Sequence, residues 1–79
     1  MESIKQQVIK ILKKYTFNNE VWNGFTDNSS IITDLKINSA RIVDIIIDIE
    51  EIYNIEITDE ELDSLTCFKD IVDLINKKN

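Results

Sequence analysis

The stretch TDLKINSARIVDII, residues 33–46, places a polar pair, Asn38 and Ser39, at the start of the most hydrophobic segment of the chain. Both residue types are common at helix N-termini, where a side-chain oxygen accepts a hydrogen bond from a free backbone N–H group. Ser39 is therefore either a helix cap or, if Asn38 caps the helix instead, an exposed hydroxyl. The pair follows a long segment with almost no helical pattern, and at the end of such a loop another protein can reach the backbone.

A helix is predicted over residues 39–53. Isoleucine and valine dominate this segment and also favour strands, but the polar residues recur every three or four positions, which is the period of a helix face. These residues form one polar stripe: Arg41, Asp44, Asp48 and Glu51. Because the stripe is narrow, the sequence predicts that this helix is the central and most buried one, with Ile46 and Ile49 on its core side.

Capping signals predict three more helices. Residues 3–6 and 58–61 each fit a capping box. The first opens a helix to about residue 15, and the second opens a short helix to about residue 64. Thr66 is predicted to cap the last helix, and Asn54 to take the left-handed conformation that ends the helix over 39–53.

The remaining segment, residues 16–37, is predicted to be a long first loop, in which residues 21–25 are compatible with one helical turn. The chain has 79 residues, no proline and one glycine, a composition that disfavours a many-turned β protein. We therefore expect a single all-α domain, residues 1–79, built as a small four-helix bundle with three longer helices and one short helix.

Charge and composition indicate a cytoplasmic protein. The net charge is −6, and the segment from Asp44 to Asp63 holds nine acids and no base. This acidic middle is expected to repel nucleic acid and to attract basic protein surfaces, although acids also serve simply to keep a small protein soluble. The chain shows no signal-peptide pattern, and its apolar runs are too short for a membrane span. We expect a monomer.

The residues that most enzymes use are missing. The chain has no histidine and a single cysteine, Cys67, which is predicted to be a buried thiol without a catalytic partner. It has no glycine-rich phosphate loop, and its acids lack the spacing of a calcium-binding loop. An enzyme and a metal site are therefore not expected.

An ordered set of motifs nevertheless points to a family. The chain offers Leu35, the triplet Asn38-Ser39-Ala40, the pair Glu50-Glu51 followed by Tyr53, the segment IEITDE at 55–60, and Thr66 with Asp70. In this order, residues 33–75 resemble the acyl carrier proteins and their phosphopantetheine-binding relatives.

The resemblance implies that Ser39 carries 4′-phosphopantetheine, which a separate phosphopantetheinyl transferase attaches from coenzyme A. The thiol of this arm would hold an acyl or aminoacyl group as a thioester. The carrier would deliver the group among acyl-activating, acyl-transferring or condensing enzymes and contribute no catalytic residue itself. The second helix is the family's recognition helix, and the matching positions here are Asp44, Ile47, Asp48 and Glu51.

Four positions depart from the family pattern. Asn38 replaces the usual aspartate, Ala40 replaces leucine, Arg41 stands where an acid is common, and Lys36 replaces a frequent glycine. These changes favour a dedicated carrier in a specialised pathway (polyketide, aminoacyl or cell-surface acylation) over a general role in fatty acid synthesis. They also leave an alternative open, namely an unmodified helical interaction domain that acts through its acidic second helix.

Overall fold

The computed structural model describes residues 3–78 of the protein. Within this range the chain forms no β-strand, only one isolated bridge between Ser30 and Cys67. The predicted all-α fold, with three longer helices and one short one, is confirmed for these residues. The four α-helices are α1 (Ile4–Lys13), α2 (Ile42–Tyr53), α3 (Asp59–Asp63) and α4 (Phe68–Lys78).

Helix α1 begins at the predicted capping box. The Ser3 hydroxyl accepts a hydrogen bond from the backbone N–H of Gln6 at 3.2 Å, and the Gln6 side chain accepts one from the backbone N–H of Ser3 at 3.0 Å. The helix ends at Lys13, two residues before the predicted end. There the hydrogen bonds tighten to i→i−3, as in Tyr15 N–H to the carbonyl of Leu12, which closes the last turn.

The second capping box, at the start of α3, is also confirmed. The Thr58 hydroxyl accepts from the Glu61 backbone N–H at 3.2 Å, and the Glu61 carboxylate accepts from the Thr58 backbone N–H at 3.0 Å. Lys78 at the end of α4 pairs with the same carboxylate at 2.9 Å. The Thr58 backbone N–H, followed by Lys78, holds the pKa of Glu61 below its usual range. This short helix is thereby tied to α4.

Helix α2 ends as predicted but is not the most buried helix. Asn54 adopts the left-handed conformation, with φ of 53°. The core side of α2 carries Ile46 and Ile49 as predicted, together with Ile45. Three other apolar side chains, however, are about half exposed: Val43, Ile47 and Ile52. The prediction that this is the most buried helix was wrong, because α2 has three buried side chains, as many as the shorter α1, whereas α4 has four.

The core is built by α1, α2 and α4 together with the long loop between α1 and α2. The loop contributes Ile31, Leu35 and Ile37, each no more than 2% exposed. The helices contribute the other buried apolar side chains: Val8, Ile11, Leu12, Ile45, Ile46, Ile49, Phe68, Ile71, Val72 and Ile75. The radius of gyration, 11.7 Å, matches the value of about 12 Å expected for a compact domain of this length.

The helical turn in the long loop is a short 3-10 helix at Asn19–Trp22, two residues earlier than predicted. It starts there because the Asn18 side chain accepts a hydrogen bond from the Glu20 backbone N–H at 2.9 Å. Trp22 packs against Phe25, and Phe25 meets Phe68 of α4 edge to face at 5.0 Å between ring centroids. This aromatic chain fixes the loop against α4.

The same loop covers the N-terminus of α4. The first backbone N–H groups of a helix have no partner inside it. Here the Phe68 N–H donates to the carbonyl of Ser29 at 3.0 Å, and the Lys69 N–H donates to the carbonyl of Asp27 at 2.8 Å. The loop backbone thus performs part of the capping that the sequence assigned to Thr66.

Thr66 itself does not cap α4 with its hydroxyl, which corrects the prediction. The hydroxyl donates to the Asp70 carboxylate at 2.8 Å, and the same carboxylate accepts from the backbone N–H groups of Thr66 and Cys67. Cys67 is half-buried rather than buried, and its backbone forms the bridge to Ser30 of the loop. None of the helices within residues 3–78 is long and apolar enough to cross a membrane.

Candidate functional site

Ser39 lies at the end of the long loop, on the surface, where the chain turns into α2. It is the first residue of a 3-10 turn, Ser39–Arg41, that runs directly into α2. The Asn38 side chain accepts a hydrogen bond from the Ala40 backbone N–H at 2.9 Å. Within residues 3–78 the Ser39 hydroxyl has no hydrogen-bond partner. Asn38 therefore caps the turn, and Ser39 is left as an exposed hydroxyl.

Two buried side chains hold the segment that presents Ser39. Leu35 and Ile37 are each 1% exposed, whereas Lys36 between them and Asn38 after them face solvent. Lys36 has φ of 55°, the left-handed conformation that favours glycine and costs other residues about 1–2 kcal/mol. The burial of Leu35 and Ile37 on either side holds Lys36 in this strained conformation. The result is a fixed loop end beside an accessible serine.

The chain offers Ser39 no activating base. Within residues 3–78 no side chain accepts a hydrogen bond from its hydroxyl, and the chain has no histidine. A serine becomes a nucleophile for catalysis when an adjacent base is positioned to take its proton. The Ser39 hydroxyl is exposed and has no such base beside it within residues 3–78. No group of three or more possible metal ligands lies together in the described part of the chain.

The exposed side of α2 next to Ser39 carries a mixed apolar and acidic surface, the α2 face, formed by Val43, Asp44, Ile47 and Glu51. Val43 and Ile47 are 50% and 46% exposed and lie one helical turn apart. Asp44 and Glu51 lie three residues before and four residues after Ile47, so all four side chains are neighbours on the helix surface. The predicted recognition positions did not include Val43.

Asp48 lies apart from the α2 face. Its carboxylate accepts a hydrogen bond from the Tyr15 hydroxyl at 2.9 Å and pairs with Lys14 at 3.2 Å. The hydrogen bond to this carboxylate is the main cause that raises the pKa of Tyr15. The predicted polar stripe therefore has two parts. Asp44 and Glu51 face outward, whereas Asp48 joins α2 to the end of α1.

Arg41, two residues after Ser39, forms an ion pair that the sequence did not predict. Its guanidinium lies 3.2 Å from the carboxylate of Asp44, one helical turn away. Both side chains remain largely in solvent, at 64% and 45% exposure. The acid of the α2 face nearest to Ser39 is therefore partly neutralised, and the acid farthest from it, Glu51, is exposed.

Comparison with models of known protein families gives no match, and comparison with curated proteins gives no significant match. The chemistry of the site therefore rests on its residues and their geometry.

Proposed function

We propose that the protein is a small carrier of the acyl-carrier type, a four-helix bundle whose Ser39 holds 4′-phosphopantetheine. The observation that carries this proposal is the free hydroxyl of Ser39, exposed at the start of α2 while Asn38 performs the capping. A serine needed only as a cap would have its oxygen engaged by a backbone N–H group. The motifs around Ser39, from Leu35 to Asp70, are similar to those of the carrier family.

Lys36 gives independent support from backbone geometry. The carrier family frequently has glycine at this position, and here the residue takes a left-handed conformation, which glycine adopts without strain. Thr66 and Asp70, a second pair of the resemblance, share a hydrogen bond at 2.8 Å. In both places the backbone or side-chain geometry agrees with the residue types of the family pattern.

The residues at the site fit an attached arm. Loading would form a bond between the Ser39 oxygen and the phosphorus of coenzyme A that bears the pantetheine. The serine proton would pass to a base of the transferase, and the nucleotide part of coenzyme A would leave. The arm, once attached, supplies a thiol that holds an acyl or aminoacyl group as a thioester. The exposed N-terminus of a helical segment also favours a phosphate group electrostatically.

The protein's own contribution is recognition. We propose that the α2 face contacts the transferase and the acyl-activating, acyl-transferring or condensing enzymes. Ile47 and Val43 would provide apolar contact, and Asp44 and Glu51 would orient a basic partner. Asp48, occupied by Tyr15 and Lys14, would act indirectly by holding α2 in place. Asn38, Ala40 and Arg41 favour a dedicated partner in a specialised pathway.

An unmodified interaction domain remains the second candidate. Two half-exposed aliphatic side chains in the middle of a helix, Val43 and Ile47, would serve a binding surface equally well without an arm on Ser39. Covalent loading separates the two functions. Incubation with a promiscuous phosphopantetheinyl transferase and coenzyme A should add one phosphopantetheine group to the chain and none to the Ser39→Ala variant.

A further inference from the structure

The charges along the exposed side of the helical segment 39–53 are segregated. Residues 36–41 contain two bases, Lys36 and Arg41, and no acid, whereas the segment from Asp44 to Asp63 contains nine acids and no base. Both bases are exposed. At 1.5 Å per residue, Arg41 and Glu51 lie about 15 Å apart along the helix. The two bases therefore lie on either side of Ser39 at one end of the α2 face, where Arg41 pairs with Asp44. The middle of the face is apolar, and its far end, at Glu51, is acidic.

The Arg41–Asp44 ion pair contributes little to folding. Exposed ion pairs of this kind typically contribute between zero and about 1 kcal/mol to stability. Its effect is on the surface charge, because it partly cancels Asp44, the acid of the α2 face nearest to Ser39, while Lys36 on the other side of Ser39 has one exposed acid close to it in sequence, Asp34. A partner that docks on this face meets positive charge beside the serine, although the chain as a whole has a net charge of −6.

We propose that Arg41 and Lys36 select the enzyme that binds the protein at Ser39. The partner's binding face carries an acidic side chain next to the serine, an apolar area over Val43 and Ile47, and basic side chains opposite Glu51. An enzyme with basic residues throughout its binding face is disfavoured, because it places like charges against Arg41. This inference rests on the proposed carrier function and adds the charge pattern of the partner.

An enzyme is a better occupant of this face than a second copy of the chain. An antiparallel copy would bring Arg41 of one chain near Glu51 of the other. It would also bring together two acidic segments of nine acids each, with no base between Asp44 and Asp63 to offset them. The resulting repulsion opposes self-association, whereas an enzyme with the complementary pattern meets favourable charge at both ends.

The test uses a purified promiscuous phosphopantetheinyl transferase with a basic carrier-binding face, and coenzyme A, at low ionic strength. Arg41→Glu should be modified with a kcat/KM roughly five times that of the wild-type chain or more, because a repulsive contact becomes attractive. Lys77→Glu on α4 changes the net charge equally and should stay within about twofold of wild type. Arg41→Gln should fall between wild type and Arg41→Glu.

A reciprocal change in the transferase sharpens the test. Replacing the basic residue beside its serine-binding position with glutamate should speed modification of the wild-type chain and slow that of Arg41→Glu.

Equal rates for Arg41→Glu and Lys77→Glu would overturn the inference but leave the carrier function standing. A dimer at low salt that Arg41→Glu dissociates, measured by sedimentation equilibrium, would overturn the choice of an enzyme as occupant. If neither wild type nor Arg41→Glu is modified while a known carrier is, the proposed function itself fails.

Discussion

The Thr66 hydroxyl donates a hydrogen bond of 2.8 Å to the carboxylate of Asp70, which lies in the first turn of α4. The same carboxylate accepts hydrogen bonds from the Thr66 and Cys67 backbone N–H groups at 3.0 and 3.2 Å. These bonds, led by that from the Thr66 backbone, lower the pKa of Asp70. One side chain therefore organises the chain entry into α4, next to the place where the long loop docks.

The pKa of Asp70 is lower in the folded state than in the unfolded state. Its ionised carboxylate therefore stabilises the fold above the ordinary carboxyl pKa of about 4, and this stabilisation is lost as the pH falls through the pKa of the folded state. Asp70→Asn should lower the free energy of unfolding by about 1 kcal/mol at pH 7, in line with the loss of a helix cap. The deficit should shrink below pH 4. Asp73→Asn, exposed on the same helix, is the control for urea melts at each pH. A deficit that is constant from pH 7 to pH 2 would contradict the assignment.

The two sides of α2 should respond differently to truncation. Ile46 and Ile49 are 6% and 0% exposed, so replacing either with alanine should cost about 2–5 kcal/mol. Ile47→Ala removes the same atoms from a side chain that is half exposed and should cost at most about 1 kcal/mol. Thermal melts of the three variants check this. A loss for Ile47→Ala as large as that for Ile49→Ala would mean that the α2 face is covered in solution.

Lys36 offers a test of backbone strain close to the site. Glycine at this position should remove the strain of the left-handed conformation, which costs about 1–2 kcal/mol. Part of this gain is offset, because glycine gives the unfolded chain more conformational freedom. Lys36→Gly is therefore expected to raise the melting temperature by a few degrees. Lys36→Ala removes the same charge but keeps the Cβ atom, and it should not stabilise the protein. Equal melting temperatures for the two variants would show that the strain is not the cause.

The proposed recognition by the α2 face can be tested separately from an effect of the overall negative charge. Asp44→Lys combined with Glu51→Lys should slow phosphopantetheinylation by a basic-faced transferase about tenfold or more, because it creates like-charge repulsion in the contact. The melting temperature should barely change, since Glu51 is exposed and Asp44 is about half exposed. Added salt should slow the wild-type reaction in the same direction.

The matched control for this pair is Glu56→Lys combined with Asp63→Lys. Both residues are exposed and lie outside the α2 face, and the double change alters the net charge by the same amount. Their modification rate should remain within about twofold to threefold of the wild-type rate. If the control slows the reaction as much as the changes on the α2 face, only the net charge matters and the face is not a contact.

Local signals predicted the helices well. The capping boxes at Ser3 and Thr58 and the left-handed Asn54 depend on residues within a few positions of each other, so the sequence determines them directly. The end of α1 and the turn at Asn19–Trp22 were off by two residues, because hydrogen bonds of single residues decide such boundaries. The docking of the loop on α4 depends on contacts between residues far apart in sequence, and no local pattern encodes it.

The candidate site was predictable in part. The two adjacent residues Asn38 and Ser39 left open which of them is the cap, and in the structure Asn38 is the cap and Ser39 the exposed hydroxyl. The sequence did not predict that Val43 is exposed or that Asp48 accepts a hydrogen bond from Tyr15. Periodicity shows which residues share a helix face, but not which neighbouring element covers that face. In an isoleucine-rich helix, the core side and an exposed apolar side look alike.

Covalent loading of Ser39 tests the central claim most directly. The purified chain is incubated with a promiscuous phosphopantetheinyl transferase and coenzyme A, and its intact mass is measured before and after. Ser39→Ala is the test variant, and Ser64→Ala, which removes another exposed serine, is the matched control. Circular dichroism should show that both variants keep the helical fold, because Asn38 still caps the turn into α2.

The account predicts a gain of one phosphopantetheine group in the wild-type chain and in Ser64→Ala, located on Ser39 by peptide fragmentation, and no gain in Ser39→Ala. An unchanged wild-type mass, under conditions in which a known carrier is fully modified, would contradict the carrier function. The exposed α2 face would then be the binding surface of an unmodified interaction domain.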